Sequence, residues 1–286
     1  MKIKPTPLRE VQSCIVYELS SIYPQHEAQS ISFLLLEHLL NYTKSEILLN
    51  NQEEISSKTL QQIDAMVEKL KTHQPLQYVI GEAFFYEHNF KVDKGVLIPR
   101  PETEELVMWL SKHISEYDTI WDIGTGSGCI PISLASQIPK ATYFASDIST
   151  KALNIAKINS QELKTDILFL QHNILKDPPP QIKASVIISN PPYVTLSEKM
   201  RMDKNVLNYE PETALFVPDE NPLLFYRAIV QNTMKNRSES GTNYFFEINE
   251  QFGAEMINLL KEHNFSAIEL RKDIHGKDRM IKGLAR

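Results

Sequence analysis

No apolar run in this chain approaches 18 residues, so no transmembrane helix is expected. The first residues, Met1-Lys2-Ile3-Lys4-Pro5, lack the apolar stretch of a signal peptide. Cysteine is scarce. Cys14 and Cys129 stand far apart, and two free thiols in a reducing cytoplasm fit better than one disulfide. Basic charge is in deficit, with 30 Lys and Arg against 36 Asp and Glu, a net charge of −6. Such a chain has no overall attraction for a phosphate backbone, which disfavours a nucleic-acid substrate unless a local basic patch exists. Eight histidines are scattered without a pair at metal-ligand spacing, so no metal is expected. There is no internal repeat. The balance of 42% hydrophobic and 23% charged residues is that of a globular protein, and 286 residues suffice for one sizeable domain and a smaller one.

The pattern divides the chain. Residues 6–73 read as helices: Ile31, Leu34, Leu35 and Leu39 fall near helical spacing, as do Leu60, Ile63, Val67 and Leu70. Pro24 separates the first two helices, and Thr43 or Ser45 caps a short third. No strong strand pattern appears there. After Pro75 the character changes. Residues 83–98 are rich in aromatic and β-branched types and predict a β-hairpin between two domains. Pro99-Arg100-Pro101-Glu102 then opens a helix, with Pro101 in its first turn and Glu102, Glu104 and Glu105 near the positive end of its dipole. From residue 119 strands and helices alternate. Strands are expected at 119–123, 142–146, 167–171, 184–189 and 244–248, with a final pair at 266–270 and 279–284. Helices are expected at 130–138, 151–160, 223–235 and 251–263. This alternation implies a doubly wound α/β sheet. The expected organisation is a helical domain over 1–80, a hairpin linker over 81–98 and an α/β domain over 99–286.

Asp122-Ile123-Gly124-Thr125-Gly126-Ser127-Gly128 follows the first of those strands and precedes a helix. Glycines allow a tight turn and close approach of a ligand, and the helix behind offers free N–H groups. Asp147 ends the second strand, where a carboxylate can accept hydrogen bonds from both ribose hydroxyls of an adenosine. The glycine spacing is G-x-G-x-G, and Cys129 takes the place of the third glycine of the dinucleotide fingerprint. Asp122 stands where it could reach the amino group of a methionine moiety. Both details favour S-adenosylmethionine over a dinucleotide. Cys129, at the start of an apolar helix, reads as packing.

Asn190-Pro191-Pro192-Tyr193 follows the apolar strand at 184–189 and so lies on the same rim as the glycine loop. These residue types suit methylation of an amide or aromatic amine, whose nitrogen lone pair is delocalised. Such a nitrogen needs acceptors for both of its N–H hydrogens. The Asn190 side-chain oxygen can be one acceptor and the Pro191 carbonyl the other. Tyr193 offers a flat face to a planar group. With a sulfonium as leaving group, alignment supplies most of the catalysis.

Taken together, these motifs resemble the HemK/PrmC-type protein-(glutamine-N5) methyltransferases, which modify class I peptide chain release factors. The likeness runs through Pro75-Leu76-Gln77-Tyr78, Ile98-Pro99-Arg100-Pro101-Glu102-Thr103-Glu104, the glycine loop, Asp147-Ile148-Ser149 and Asn190 to Tyr193. It continues in Tyr209-Glu210-Pro211 and in Arg271-Lys272-Asp273 with Asp278 and Arg279. Asn-Pro-Pro-Tyr also occurs in enzymes that methylate adenine N6 or guanine N2, whereas the segment from Ile98 to Glu104 is particular to this family. The resemblance implies a Rossmann-like class I S-adenosylmethionine-dependent methyltransferase sheet behind a small N-terminal helical bundle. It implies S-adenosylmethionine held by Asp122, Gly124, Thr125, Gly126, Ser127, Gly128, Asp147, Ile148 and Asn190, with Asn173 or Ile174 near adenine. S-adenosylhomocysteine is the product. The glutamine side chain would be gripped by Asn190, Pro191, Pro192 and Tyr193, with Arg100 and Glu102 close by. The expected substrate is a release factor carrying the glutamine of its GGQ motif. The enzyme would be a cytoplasmic monomer away from membranes. A nucleic-acid amine methyltransferase is the rival, and the basic residues Arg271, Lys272, Lys277 and Arg279 are its one candidate patch, interleaved with Asp273 and Asp278.

Overall fold

The structure, a computed structural model, describes residues 5–286. The chain divides into two units, one of Met1–Gly81 with Asp203–Tyr209, the other of Glu82–Met202 with Glu210–Arg286.

The first unit is helical. It contains α1 (Leu8–Leu19), α2 (Gln25–Leu40), α3 (Lys44–Leu49), α4 (Ser57–Lys71), α5 (Leu76–Ile80) and, from later in the chain, α9 (Lys204–Tyr209). Helix α1 buries Leu8, Val11, Ile15 and Leu19, and α4 buries Leu60, Ile63, Val67 and Leu70. Each set is a single stripe at steps of three and four residues, which a helix must cover to gain from forming. Thr43 caps α3 in a reciprocal box: its hydroxyl accepts from the Glu46 N–H, and the Glu46 carboxylate accepts from the Thr43 N–H. Gly81, at φ +86°, ends α5. Two-residue strands β1 (Thr6–Pro7) and β2 (Glu54–Ile55) pair antiparallel, a contact too short to leave a periodic signal in the sequence. The Tyr209 hydroxyl donates to the Thr72 carbonyl at 2.8 Å, which ties α9 to this bundle.

The second unit opens with a short hairpin, β3 (Glu82–Phe85) and β4 (His88–Lys91). The aromatic run predicts strand as far as residue 98, but pairing stops at Lys91. Beyond it the chain is irregular, with Val92, Val96 and Ile98 buried. Phe85 and Phe90 join the core of the sheet unit, so the hairpin packs as part of it. Next come α6 (Pro101–Ser111), β5 (Thr119–Ile123), α7 (Cys129–Gln137), β6 (Thr142–Asp147), α8 (Thr150–Glu162), β7 (Ile167–Gln171) and β8 (Val186–Ser189). The short strands β9 (Val194–Thr195) and β10 (Phe216–Val217) pair with each other. The unit closes with α10 (Leu224–Thr233), β11 (Thr242–Glu247), α11 (Gly253–Glu262), β12 (Ser266–Lys272) and β13 (Asp278–Ala285).

Seven strands form one sheet in the order β12-β13-β11-β8-β5-β6-β7. The five from β11 to β7 run parallel, and β13 and β12 add antiparallel at one edge. Alternate residues feed opposite cores. Ile120, Val186, Ile188 and Phe245 enter one cluster, and Trp121, Ile187, Tyr244 and Phe246 enter the other. Both faces are covered, as the near-continuous apolar strands require. The chain winds outward from β5 through β6 to β7, then returns to place β8 on the other side of β5. The carboxyl ends of β5 and β8 therefore flank the topological switch point, where open α/β sheets leave a crevice for ligands.

Gly128 joins β5 to α7 at φ +80°, and a Cβ there would stand 2.9 Å from Ile132 Cδ1 and 3.1 Å from Ala156 Cβ. Left-handed backbone and overpacking each carry a penalty, so Gly128→Ala should destabilise the protein by at least about 2 kcal/mol in urea unfolding.

Candidate active site

The pairing of Asp122 with Ile188 fixes the geometry of the switch point. Two residues further along each strand stand Gly124 and Asn190. The Ser189 hydroxyl donates to the Ile123 carbonyl at 2.6 Å and locks the two strand ends together. Gly124 and Thr125 both donate their N–H to the Ser146 carbonyl, at 2.8 and 2.9 Å, so the loop is anchored to β6. Gly124 and Gly126 have positive φ, and nothing lies within 4 Å of where their Cβ atoms would be. Their bare backbone faces open space.

That space is a cavity of about 460 Å³. It is of the size expected for a cofactor. Gly124, Thr125, Gly126 and Ser127 line one side, with Asp147 and Ile148 from the end of β6. Asn173 and Ile174 line it after β7, and Asn190, Pro191 and Pro192 after β8. Arg100 completes the set.

Asp147 accepts from the Gly126 N–H through Oδ2 and from the Ser149 N–H through Oδ1, both at 2.9 Å. Each oxygen keeps a lone pair for a further donor. Burial raises its pKa, opposed by those backbone N–H groups. The Asn173 side chain is engaged in its own turn, accepting from the Leu175 N–H at 3.0 Å. Arg100 donates to Glu210 at 2.7 Å, and the other Glu210 oxygen accepts from the Ile98 N–H at 3.3 Å. Glu210 is 5% exposed, so this ion pair is an internal strut between two of the motifs, Ile98–Glu104 and Tyr209-Glu210-Pro211.

Four of the sequence-predicted residues do not line the cavity. Asp122 is fully buried beneath the loop; neighbouring strand residues face opposite ways, and Ile123 is the one that reaches the cavity. Gly128 acts as the N-terminal boundary of α7. Glu102 sits in the first turn of α6, but its neighbour Thr103, about 100° round the helix, is the one at the cavity. Tyr193 turns away from the cavity, packs against the second core cluster and donates its hydroxyl to Glu247 Oε1 at 2.9 Å. It braces the motif instead of offering a flat face.

Sequence reasoning does not single out Thr103, Glu247 or His172. Asn190 Nδ2 donates to Thr103 Oγ1 at 3.2 Å, and the Thr103 hydroxyl donates to Glu247 Oε2 at 2.7 Å. Glu247 is 1% exposed at the carboxyl end of β11. A charged residue ending an apolar strand, Tyr244-Phe245-Phe246-Glu247, is the one signal that could have found it. His172 lines the cavity with its Nε2 3.3 Å from the Pro178 carbonyl. Cys129 is buried, its thiol pushed up to about 12 by desolvation, which leaves it no nucleophilic role.

Each residue of the candidate basic patch is ion-paired: Arg271 with Glu269, Lys272 with Asp278, Lys277 with Glu250 and Arg279 with Asp273. The patch is neutralised internally. Among the described residues, no cluster of three or more His, Cys, Asp or Glu could hold a metal ion. No described helix is long and apolar enough to cross a membrane.

This sheet order, glycine loop and rim motif define a class I methyltransferase. In line with that, residues 17–81 match the PrmC N-terminal domain and residues 100–209 the methyltransferase small domain. The release factor glutamine methyltransferase of Flavobacterium psychrophilum is 41% identical over 280 residues, covering 96% of this chain and 98% of that protein. The Bacteroides thetaiotaomicron protein of the same name is 38% identical over 275 residues, 96% of this chain and 99% of that one. The chain belongs to the release factor glutamine methyltransferase family. Among solved structures, the hMettl16 catalytic domain in complex with a MAT2A 3′UTR hairpin aligns with a TM-score of 0.54 at 14% identity, covering 79% of this chain and 81% of that one. A methyltransferase from Pyrococcus furiosus aligns with a TM-score of 0.50 at 12% identity, covering 68% and 87%. These two share the fold.

Both carboxylate oxygens of Asp122 lack a partner at hydrogen-bond geometry. Burial pushes its pKa up to about 7, against a smaller opposing pull from the nearby Thr125 hydroxyl. The folded chain therefore holds this proton up to about 7 and the unfolded chain only to about 4. Folding stability contributed by the protonated group is full below pH 4 and is lost as pH rises from there through 7. Asp122→Asn has no proton to lose, so its Tm should fall less than that of the parent between pH 5 and pH 8. Parallel Tm curves for the two proteins would contradict this account.

Proposed function

We propose that this enzyme transfers a methyl group from S-adenosylmethionine to the side-chain amide nitrogen of the GGQ glutamine in a class I release factor. The observation that carries the reading is Asn190. It stands at the switch point, beside the glycine loop and over the cavity. Its Nδ2 is engaged by Thr103, and among the described residues no protein donor reaches its Oδ1. The near-full-length likeness to release factor glutamine methyltransferases supports an amide as the acceptor.

The chain's residues fit the cofactor. Gly124 and Gly126 present backbone without side chains, and Asp147 keeps lone pairs for ribose hydroxyls. Ile148, Asn173 and Ile174 would flank the adenine. Asp122 and Gly128 shape the loop from below. When bound, the cofactor supplies a methyl group on a sulfonium, which departs as a neutral thioether with the former S–C electron pair. Asn190 Oδ1 and the Pro191 carbonyl each accept one N–H of the glutamine amide. With both hydrogens held, the nitrogen's electron density rises and its face is turned to the incoming carbon. The nitrogen forms the new N–C bond and gives one proton to solvent. Pro191 and Pro192 fix the direction of the carbonyl, since their φ angles are locked. Arg100, held by Glu210, closes the side of the cavity next to α6. The helical unit would help dock the release factor. Two free thiols, Cys14 and Cys129, suit a reducing cytoplasm.

Purified release factor incubated with enzyme and methyl-labelled cofactor should take up label, and the release factor with Gln→Ala in its GGQ motif should not. An unlabelled wild-type release factor would overturn the reading. Asn190→Ala should lower kcat by about 10²-fold, the scale for losing one preorganised polar contact to the reacting group, with cofactor Kd little changed. Full activity in that variant would remove Asn190 from the mechanism.

A further inference from the structure

We propose that Thr103 and Glu247 are positioning residues that fix which way the Asn190 amide faces. This rests on the reading of Asn190 Oδ1 as an acceptor for the substrate amide. An asparagine side chain is nearly symmetrical in shape, and its oxygen and nitrogen exchange places by a half-turn of one bond. Only the oxygen can accept an N–H. Something in the protein must therefore make one orientation cheaper than the other.

The structure supplies a polarity filter. Glu247 Oε2 accepts from Thr103 and Oε1 accepts from Tyr193. The backbone carbonyl of Glu247 accepts from the Tyr226 hydroxyl at 2.8 Å, which holds the residue from a third side. Both carboxylate oxygens of Glu247 are placed as acceptors. The single hydroxyl hydrogen of Thr103 is thus committed to Glu247, and its oxygen faces Asn190 as an acceptor. Against an acceptor, the amide gains a hydrogen bond by presenting Nδ2 and suffers repulsion by presenting Oδ1. The amide therefore turns its nitrogen to Thr103 and its oxygen away.

Burial strengthens the filter. Thr103 is 2% exposed and Glu247 is 1% exposed, so water does not compete for either group. The three residues come from α6, the end of β8 and the end of β11, and are brought together only by the fold. Thr103 carries no charge, and its hydroxyl is engaged by Glu247 and Asn190. Its effect on the reaction passes through Asn190.

The test uses the full-length enzyme with release factor as methyl acceptor. Thr103→Val keeps the shape and removes the hydroxyl. It should lower kcat at least tenfold while cofactor Kd stays within about twofold. Thr103→Ser restores the hydroxyl and should stay within about threefold of the parent. Thr103→Ala serves in the same way if the valine variant does not fold. In an Asn190→Ala background, Thr103→Val should cost nothing further, because the group it orients is gone. Equal losses from Thr103→Val in both backgrounds, or parental kcat in a folded Thr103→Val enzyme, would overturn the proposal. Failure of the parent enzyme to label the release factor would instead strike the functional reading itself.

Discussion

The parallel pairing of β5 with β8 is the constraint on which the rest of the catalytic unit depends. In a doubly wound sheet the chain leaves its first strand in one direction and must come back to build the other half. At that reversal two adjacent strands send their connections to opposite faces, and no connection covers the gap between them. Here the gap receives a glycine loop from one strand and Asn190 from the other. The Asp122–Ile188 register sets their separation, and the Ser189–Ile123 hydrogen bond keeps it from drifting. A slip of one residue in that register would turn Asn190 to the opposite face of the sheet.

Two buried carboxylates lie under this site and behave differently. Asp122 has no partner at hydrogen-bond geometry, and desolvation dominates its titration. Glu247 is as deeply buried, and desolvation raises its pKa as well, but Thr103 and Tyr193 donate to it and Arg279 adds a favourable charge. A carboxylate with two donors can remain charged at moderate cost, whereas one with none favours its neutral form. The contrast matters for function. Glu247 must be an acceptor for Thr103 to present its oxygen to Asn190.

Much of the fold is legible because its signals are local. Residues 119–123 and 186–189 are short, mostly apolar runs next to turn residues, and the strand–loop–helix context carries the meaning of the three glycines. The family segment Ile98–Glu104 is equally visible. What the sequence does not disclose is pairing at long range. Thr103 and Glu247 are 144 residues apart, and neither belongs to a motif that names the other. An aromatic beside a reactive asparagine suggests stacking, which makes Tyr193 look like a face for substrate. Its hydroxyl instead finds a buried acceptor that only the folded sheet provides. The β1–β2 contact and the early end of the hairpin are hidden for the opposite reason: two-residue pairings have no period, and aromatic content measures burial as readily as strand.

The segment from Ile98 to Glu104 gains a physical explanation from these contacts. Pro99 and Pro101 hold the chain rigid as it enters α6. Arg100, between them, reaches Glu210, whose second oxygen is capped by the Ile98 N–H. Thr103, one turn on, reaches Asn190 and Glu247. A single turn of helix thus carries both a charged strut and the orienting hydroxyl. The strut fixes the position of the helix start, and a hydroxyl can set an amide's orientation only if its own position is fixed to within a hydrogen-bond length. Loss of the Arg100–Glu210 pair would leave Glu210 buried and uncompensated, and the helix start would shift to relieve it. A glutamine amide on a flexible stem needs an acceptor whose direction is already set, and under the proposed role of Thr103 this coupling would set it.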